Sequence, residues 1–275
     1  MRSIRIGHSP DPDDAFMFYG FASEQVSVPG YTIDHVLHDI QTLNELAEGD
    51  DPLEVTAMSV HAYLELEERY DLLEVGTSVG RRYGPRLVTA RPTHIEELAH
   101  GRIALPGPKT TAALVAEALL PAFEAVHLDF TEIMDAVRHG DVDAGIIIHE
   151  GQLTYRESGL HLVTDLGELF AERHGGLPLP LGVNCIRADL SRELKSVVAR
   201  AYRRSVEIAM AQRVDAVNYS LQFGRGLSHE LADVFVGMYV NEDSLGFCPD
   251  ITEAIGVLRE YHRCGVSPVF GGVEV

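Results

Sequence analysis

His149 is the residue whose position most plainly invites chemistry. It follows Ala144-Gly-Ile-Ile-Ile148, a run apolar enough to read as a strand buried on both faces, and so stands at that strand's carboxyl end. An imidazole changes charge near neutral pH and, inside an enclosed cleft, can act as a general base. The chain holds 13 histidines, most of them expected to be surface or satisfied core groups, so it is the place in the pattern that separates this one. Glu150 comes next, but Leu153 stands where the second histidine of an HExxH helix belongs, which excludes a zincin.

Ligands of open α/β sheets sit just beyond the carboxyl ends of the strands, and four more such junctions carry polar residues. Gly7-His8-Ser9-Pro10-Asp11-Pro12-Asp13-Asp14 is a loop fixed by two prolines, in which Asp13 or Asp14 is expected to cap the following helix. Asp11-x-Asp13 begins like a calcium loop, yet Phe16 occupies the position of the turn glycine. At Met58-Ser59-Val60 a strand meets a helix, and Ser59 either caps it or donates to a ligand. Gly80–Pro85, which includes Gly84, reads equally as a tight connection or as part of a binding wall. Pro106-Gly107-Pro108-Lys109-Thr110-Thr111 opens a helix, and amides at a helix N-terminus beside two hydroxyls make an anion site. Its spacing is not that of a P-loop, so a carboxylate fits better than a nucleotide; simple capping by Thr110 is compatible with either. Neither GxSxG nor a GxGxxG after a strand is present, so a serine hydrolase and a dinucleotide enzyme are disfavoured.

These junctions need a scaffold, and the pattern supplies one. Short apolar strands alternate with amphipathic helices from Ser3 to Ile186, which predicts parallel sheets. After Arg187 strands give way to helical stretches at 190–212, 229–240 and 251–263. The last is expected to start on an Asp250-Ile-Thr-Glu253 capping box and to stop at Gly265. Breaks near Arg91-Pro92 and Leu177-Pro-Leu-Pro-Leu181 suggest two crossings. One lobe would then be residues 1–90 plus 182–275, and the other, 91–181, would be inserted in it. The expected class is a two-lobed α/β fold with the ligand held between the lobes.

Composition narrows the partners. Of the 275 residues 45% are hydrophobic and 23% charged, which is globular; Lys+Arg 22 against Asp+Glu 42 gives a net charge of -20. A chain this acidic lacks the basic footprint that nucleic acid or an anionic membrane requires. Three cysteines without CxxC spacing indicate neither a disulfide framework nor a zinc site. Met1-Arg-Ser-Ile-Arg-Ile-Gly7 runs directly into a strand with no leader-like apolar region. The expectation is therefore a cytoplasmic enzyme, monomer or homodimer, acting on a small anionic substrate without metal or cofactor.

The segments Ser9–Tyr19, Pro106–Thr111, Ile147–Tyr155, Leu177–Gly182 and Tyr239-Val-Asn241 resemble the 1,4-dihydroxy-6-naphthoate synthases of the futalosine route to menaquinone. That resemblance spans nearly the whole chain and is most specific around His149. It implies the type II periplasmic-binding-protein fold and a lyase converting cyclic dehypoxanthine futalosine to 1,4-dihydroxy-6-naphthoate. By the same resemblance His149 would take a proton beside a carbonyl, and Thr110, Thr111 and nearby amides would hold the substrate carboxylate. Ser9, Ser59 and the Gly80–Pro85 loop would line the other wall. The family's first loop more often reads Ser-Pro-Cys-Pro-Asn-Asp, whereas Asp11 and Asp13 stand here as two extra carboxylates near an anion, with Arg81 and Arg82 available to offset them. A chorismate dehydratase shares the fold, though the His149 segment argues against it; a non-catalytic solute-binding protein is the alternative of a different kind.

Overall fold

The computed structural model describes residues 2–223 and 227–264. β1 (Arg2–His8) leads to α1 (Pro12–Ala22), β2 (Tyr31–Leu37), α2 (Ile40–Glu48), β3 (Val55–Ser59), α3 (Val60–Glu65) and β4 (Tyr70–Gly80). Next come β5 (Arg86–Thr89), β6 (Arg102–Leu105), α4 (Thr111–Leu119), β7 (Glu124–His127), α5 (Ile133–His139) and β8 (Ala144–Ile147). The short α6 (Gly151–Thr154) precedes β9 (His161–Asp165), α7 (Leu166–Arg173) and β10 (Leu179–Arg187). Four helices follow: α8 (Arg192–Ala211), α9 (Arg213–Ser220), α10 (His229–Tyr239) and α11 (Pro249–Cys264).

The strands form two five-stranded sheets, ordered β2-β1-β3-β10-β4 and β7-β6-β8-β5-β9. Each is a lobe whose central strand, β3 in one and β8 in the other, is buried at every position. Helix starts are set by side-chain caps, among them Asp39 on α2, Thr110 on α4, Asp165 on α7 and Ser191 on α8.

The sheets are mixed rather than parallel. β1 runs parallel to β2 and β3, and β6 parallel to β7 and β8, as βα units require. β10 is antiparallel to β3 and β4, and β5 is antiparallel to β8 and β9. β5 and β10 are the strands by which the chain enters a sheet from the other lobe. The first crossing also comes earlier than Arg91-Pro92: Arg86–Thr89 already pairs in the second sheet, so the residues before 90 do not all belong to the first lobe.

The C-terminal helices divide their packing. Helices α8, α9 and α10 close over α1, where Phe16, Met17, Tyr202, Val217 and Val236 share one core. α11 instead packs on α3 and β10 of the first lobe and on α4 of the second. Its Ile251, Ala254, Ile255 and Leu258 join an apolar cluster that includes Leu87 and Leu105, so this helix ties the lobes together rather than completing one. The expected capping box is not formed. The helix begins at Pro249, and Asp250, in its first turn, binds Arg81 Nη1 at 2.7 Å instead. Gly265 lies outside the described residues. Among those residues no helix is long and apolar enough to cross a membrane.

Candidate functional site

Between the lobes lies a cleft with about 700 Å³ of empty space, part of it open solvent. Ser9, Ser59, Thr110, Thr111 and His149 all line it. Gly84 does not; it packs against Gly167 and Leu179, and its neighbour Pro85 faces the cleft.

His149 lies two residues past the end of β8, with φ of +55°. A side chain pays about 1–3 kcal/mol for that left-handed backbone, and such outliers gather at functional sites. The turn is closed by the Gln152 amide donating to the His149 carbonyl at 3.1 Å, which starts α6. The imidazole meets the ring of Phe130 edge-on, centroids 4.8 Å apart. Its Nδ1 lies 3.1 Å from Asp11 Oδ2, across the cleft. Its Nε2 is buried with no hydrogen-bond partner among the described residues.

The wall facing His149 is the start of α1. Asp11 sits at the N-cap position with Pro12 behind it, yet its side chain makes no capping bond. Ser9 Oγ donates to Asp11 Oδ2 and accepts the Asp11 amide at 2.9 Å. The capping expected of Asp13 or Asp14 is not made: both lie inside the first turn of α1, where Asp14 turns back to accept the Ser9 amide of the preceding loop at 3.0 Å. Asp13 accepts from Ser78 Oγ at 3.1 Å. Burial, reinforced by Asp11, pushes the Asp13 carboxyl up to about 6; burial and then Asp13 push Asp14 well above the ordinary carboxylate range.

The opposite wall is the start of α4, and it is chemically unlike the first. Thr110 Oγ1 donates to the Gly107 carbonyl at 2.8 Å and accepts the Ala113 amide at 3.2 Å. Thr111 Oγ1 donates to the Leu181 carbonyl at 2.7 Å and accepts the His61 amide at 3.3 Å. Both hydroxyls are thus spent on holding the helix end, and the donors left for a ligand are the amides of Thr111 and Ala112, which begin the helix and have no intrahelical acceptor. Ser59 Oγ accepts from Asn44 Nδ2 at 3.1 Å and keeps its own hydrogen to donate. Among the described residues lining the cleft none is Lys or Arg. Arg81 does not offset the aspartates, because its guanidinium holds Asp243 and Asp250 at 2.7 Å.

Several cleft residues escaped the sequence reading. Gln152 is 2% exposed and its Oε1 accepts from Tyr239 Oη at 2.8 Å, joining the His149 turn to α10. Both lay in quoted segments, but nothing in the spacing of residues 149–155 and 239–241 says they meet. Asn184 donates to the Gly76 carbonyl at 2.7 Å; Gly76 takes φ +74°, and both residues line the cleft. A lone amide inside the apolar β10 was the available signal. Among the described residues one group, His61, Glu65 and His262, has ligand atoms within 4.8 Å of one another. None of the three lines the cleft, and Glu65 already binds Lys109 Nζ at 3.0 Å.

With this geometry in view, comparison with known proteins is decisive. The sequence profile of the menaquinone biosynthesis family matches residues 4–263. The chain belongs to that family. Among its relatives, a Thermus thermophilus protein named 1,4-dihydroxy-6-naphthoate synthase is 39% identical over 246 residues, covering 89% of this chain and 88% of the relative. A Streptomyces coelicolor protein of the same name is 33% identical, covering 98% and 96%. A crystal structure of an Archaeoglobus fulgidus protein superposes with a TM-score of 0.90 at 41% identity, over 96% of this chain and 97% of that one. The ligand-binding component of a Staphylococcus aureus ABC-type import system matches at 0.72 and 15% identity, over 98% and 95%. At that identity the likeness shows the fold alone, and it places this family on the periplasmic-binding-protein architecture.

Proposed function

We propose that this protein is a 1,4-dihydroxy-6-naphthoate synthase, a lyase of menaquinone biosynthesis acting on cyclic dehypoxanthine futalosine, with His149 as the general base. Family membership and the names of the two relatives support the reaction. The observation that carries the mechanism is an imidazole nitrogen, Nε2, buried in the interlobe cleft without a hydrogen-bond partner among the described residues. In this reading the substrate carboxylate lies on the Thr111 and Ala112 amides at the positive end of α4. That places the carbonyl-bearing part of the molecule toward His149. Nε2 takes the acidic proton beside the carbonyl, and the electron pair released opens the ring and expels the ribose-derived fragment. The step is redox-neutral, so a base, an anion cradle and exclusion of water are what it asks of the protein. A biosynthetic role of this kind fits a cytoplasmic location and a monomer or homodimer. The solute-binding alternative draws only on the fold, which says little about activity.

Incubation with cyclic dehypoxanthine futalosine, followed by absorbance and mass, is expected to yield 1,4-dihydroxy-6-naphthoate. His149→Ala should bind the substrate yet lose roughly 10²–10⁴-fold in kcat, the usual contribution of a positioned base. Full activity in that variant would remove His149 from the mechanism. Absence of product with the native chain would remove the reaction itself.

A further inference from the structure

We propose that Asp11 is the positioning residue of the base, reaching His149 from the opposite lobe, so that the imidazole is set for proton transfer only while the lobes are in contact. The inference rests on His149 being the base.

Asp11 stands where a helix N-cap would, directly before Pro12, but it makes no side-chain capping bond. Capping therefore gives no reason for a carboxylate at this position. The side chain points away from α1 and into the cleft, where Oδ2 meets His149 Nδ1 at 3.1 Å. Asp11 is 2% exposed and none of the described residues lining the cleft is Lys or Arg, so the imidazole N–H is among the donors that compensate this buried carboxylate. Ser9 Oγ, held in turn by the Asp11 amide, donates to the same oxygen and fixes the carboxylate's rotation.

The consequence for the ring follows from donor counting. A carboxylate only accepts, so Nδ1 carries the hydrogen and Nε2 presents its lone pair. Nε2 is the nitrogen without a hydrogen-bond partner among the described residues. Phe130 meets the ring in a T-shaped contact, centroids 4.8 Å apart, so the orientation is constrained from two sides. Asp11 belongs to the loop after β1 of the first sheet, and His149 to the loop after β8 of the second. The pair spans the two lobes, so separating them would break it. The carboxylate that looked like a liability to an anionic substrate thus has a use that a capping or charge-repulsion reading does not supply.

The test uses the full chain with cyclic dehypoxanthine futalosine as substrate. Asp11→Asn is expected to lower kcat at least about 10-fold and up to roughly 10⁴-fold, the loss seen when asparagine in place of an orienting aspartate leaves a catalytic histidine in the wrong tautomer. KM should stay unchanged or fall, because removing a negative charge does not weaken an anion; a merely damaged cleft would raise it. ¹⁵N spectra of the native protein supply a readout independent of any variant's folding, and His149 should show the Nδ1–H tautomer. A kcat within twofold of native for Asp11→Asn while His149→Ala is inactive would overturn the role of Asp11 alone, as would an Nε2–H tautomer. An active His149→Ala would overturn the base on which it rests.

Discussion

Two helix N-termini face each other across the cleft, built from similar local parts and given opposite chemistry. Each follows a strand and a proline-bearing loop: Pro10 precedes α1, which itself opens on Pro12, and Pro106 and Pro108 precede α4. At α1 the positive end of the helix is met by the protein's own carboxylates, with Asp13 and Asp14 in the first turn and Asp11 just ahead of them. At α4 the first turn holds no acid, and the Thr111 and Ala112 amides are left for something else. The difference teaches that a helix end is an anion site only when the sequence leaves it vacant. One wall handles protons, the other receives charge.

The largest effect is expected from filling that vacancy covalently. Thr111→Pro deletes an amide at the first helical position, where proline is well tolerated, and Thr110 before it is already extended (φ -80°, ψ 147°) as proline demands. Thr111→Val is the control, since it too loses the hydroxyl but keeps the N–H. A hydrogen bond to a charged group is worth about 1.5–3 kcal/mol, so KM for Thr111→Pro should exceed that of Thr111→Val by roughly 10- to 100-fold. Equal KM values would mean the anion is not held at α4, and the contrast between the walls would collapse.

On the acidic wall the expected effect is one of stability. Asp13 is held up to about 6, chiefly by burial and then by Asp11, so the folded protein keeps this proton more tightly than the unfolded chain does. Its stabilising share is full below pH about 4 and is lost as pH rises through about 6; above that, a buried charge is a standing penalty. Asp13→Asn keeps an oxygen for Ser78 and removes the penalty. Relief of about 1 kcal/mol would raise Tm by roughly 2–4 °C at pH 8, and thermal melts should show little gain at pH 4. A gain of the same size at both values would mean that charge burial is not the cause.

The two walls were not equally legible in the sequence. α4 and its Thr110 cap were read correctly because strand, proline-glycine loop and helix propensity are local signals. His149 was legible for the same reason, as the first polar residue past an apolar run. The partners of these groups were not. Asp11 looked like a stray charge because its bond to His149 joins positions 138 residues apart in different sheets, and no periodicity reports such a meeting. Tyr239 and Gln152 meet for reasons equally non-local: α10 reaches the cleft only because α8 to α10 fold back over α1. The mixed direction of the sheets was hidden likewise, since an apolar strand such as β5 or β10 reads the same in either direction. The sequence of junctions revealed where chemistry can occur; which junctions face each other is decided by strand order.

The smallest effect tests whether the walls are held together by the contacts seen beside them. Lys109, in the loop before α4, binds Glu48 and Glu65 of the first lobe, the latter at 3.0 Å. The ammonium is partly exposed, so the pairs should contribute only about 0.2–1 kcal/mol to closure. Lys109→Met keeps the aliphatic stem that covers this edge and removes the charge. If substrate binds the closed form, KM should rise about twofold to fivefold, with kcat little changed because Asp11 and His149 still meet once closure occurs. Added salt screens the native pairs, so the gap in KM between native and variant should narrow as ionic strength rises. A gap that persists at high salt would assign the loss to packing rather than charge. No gap at low salt would leave α11, whose apolar face packs on α3 and α4 together, as the element that holds the cleft closed.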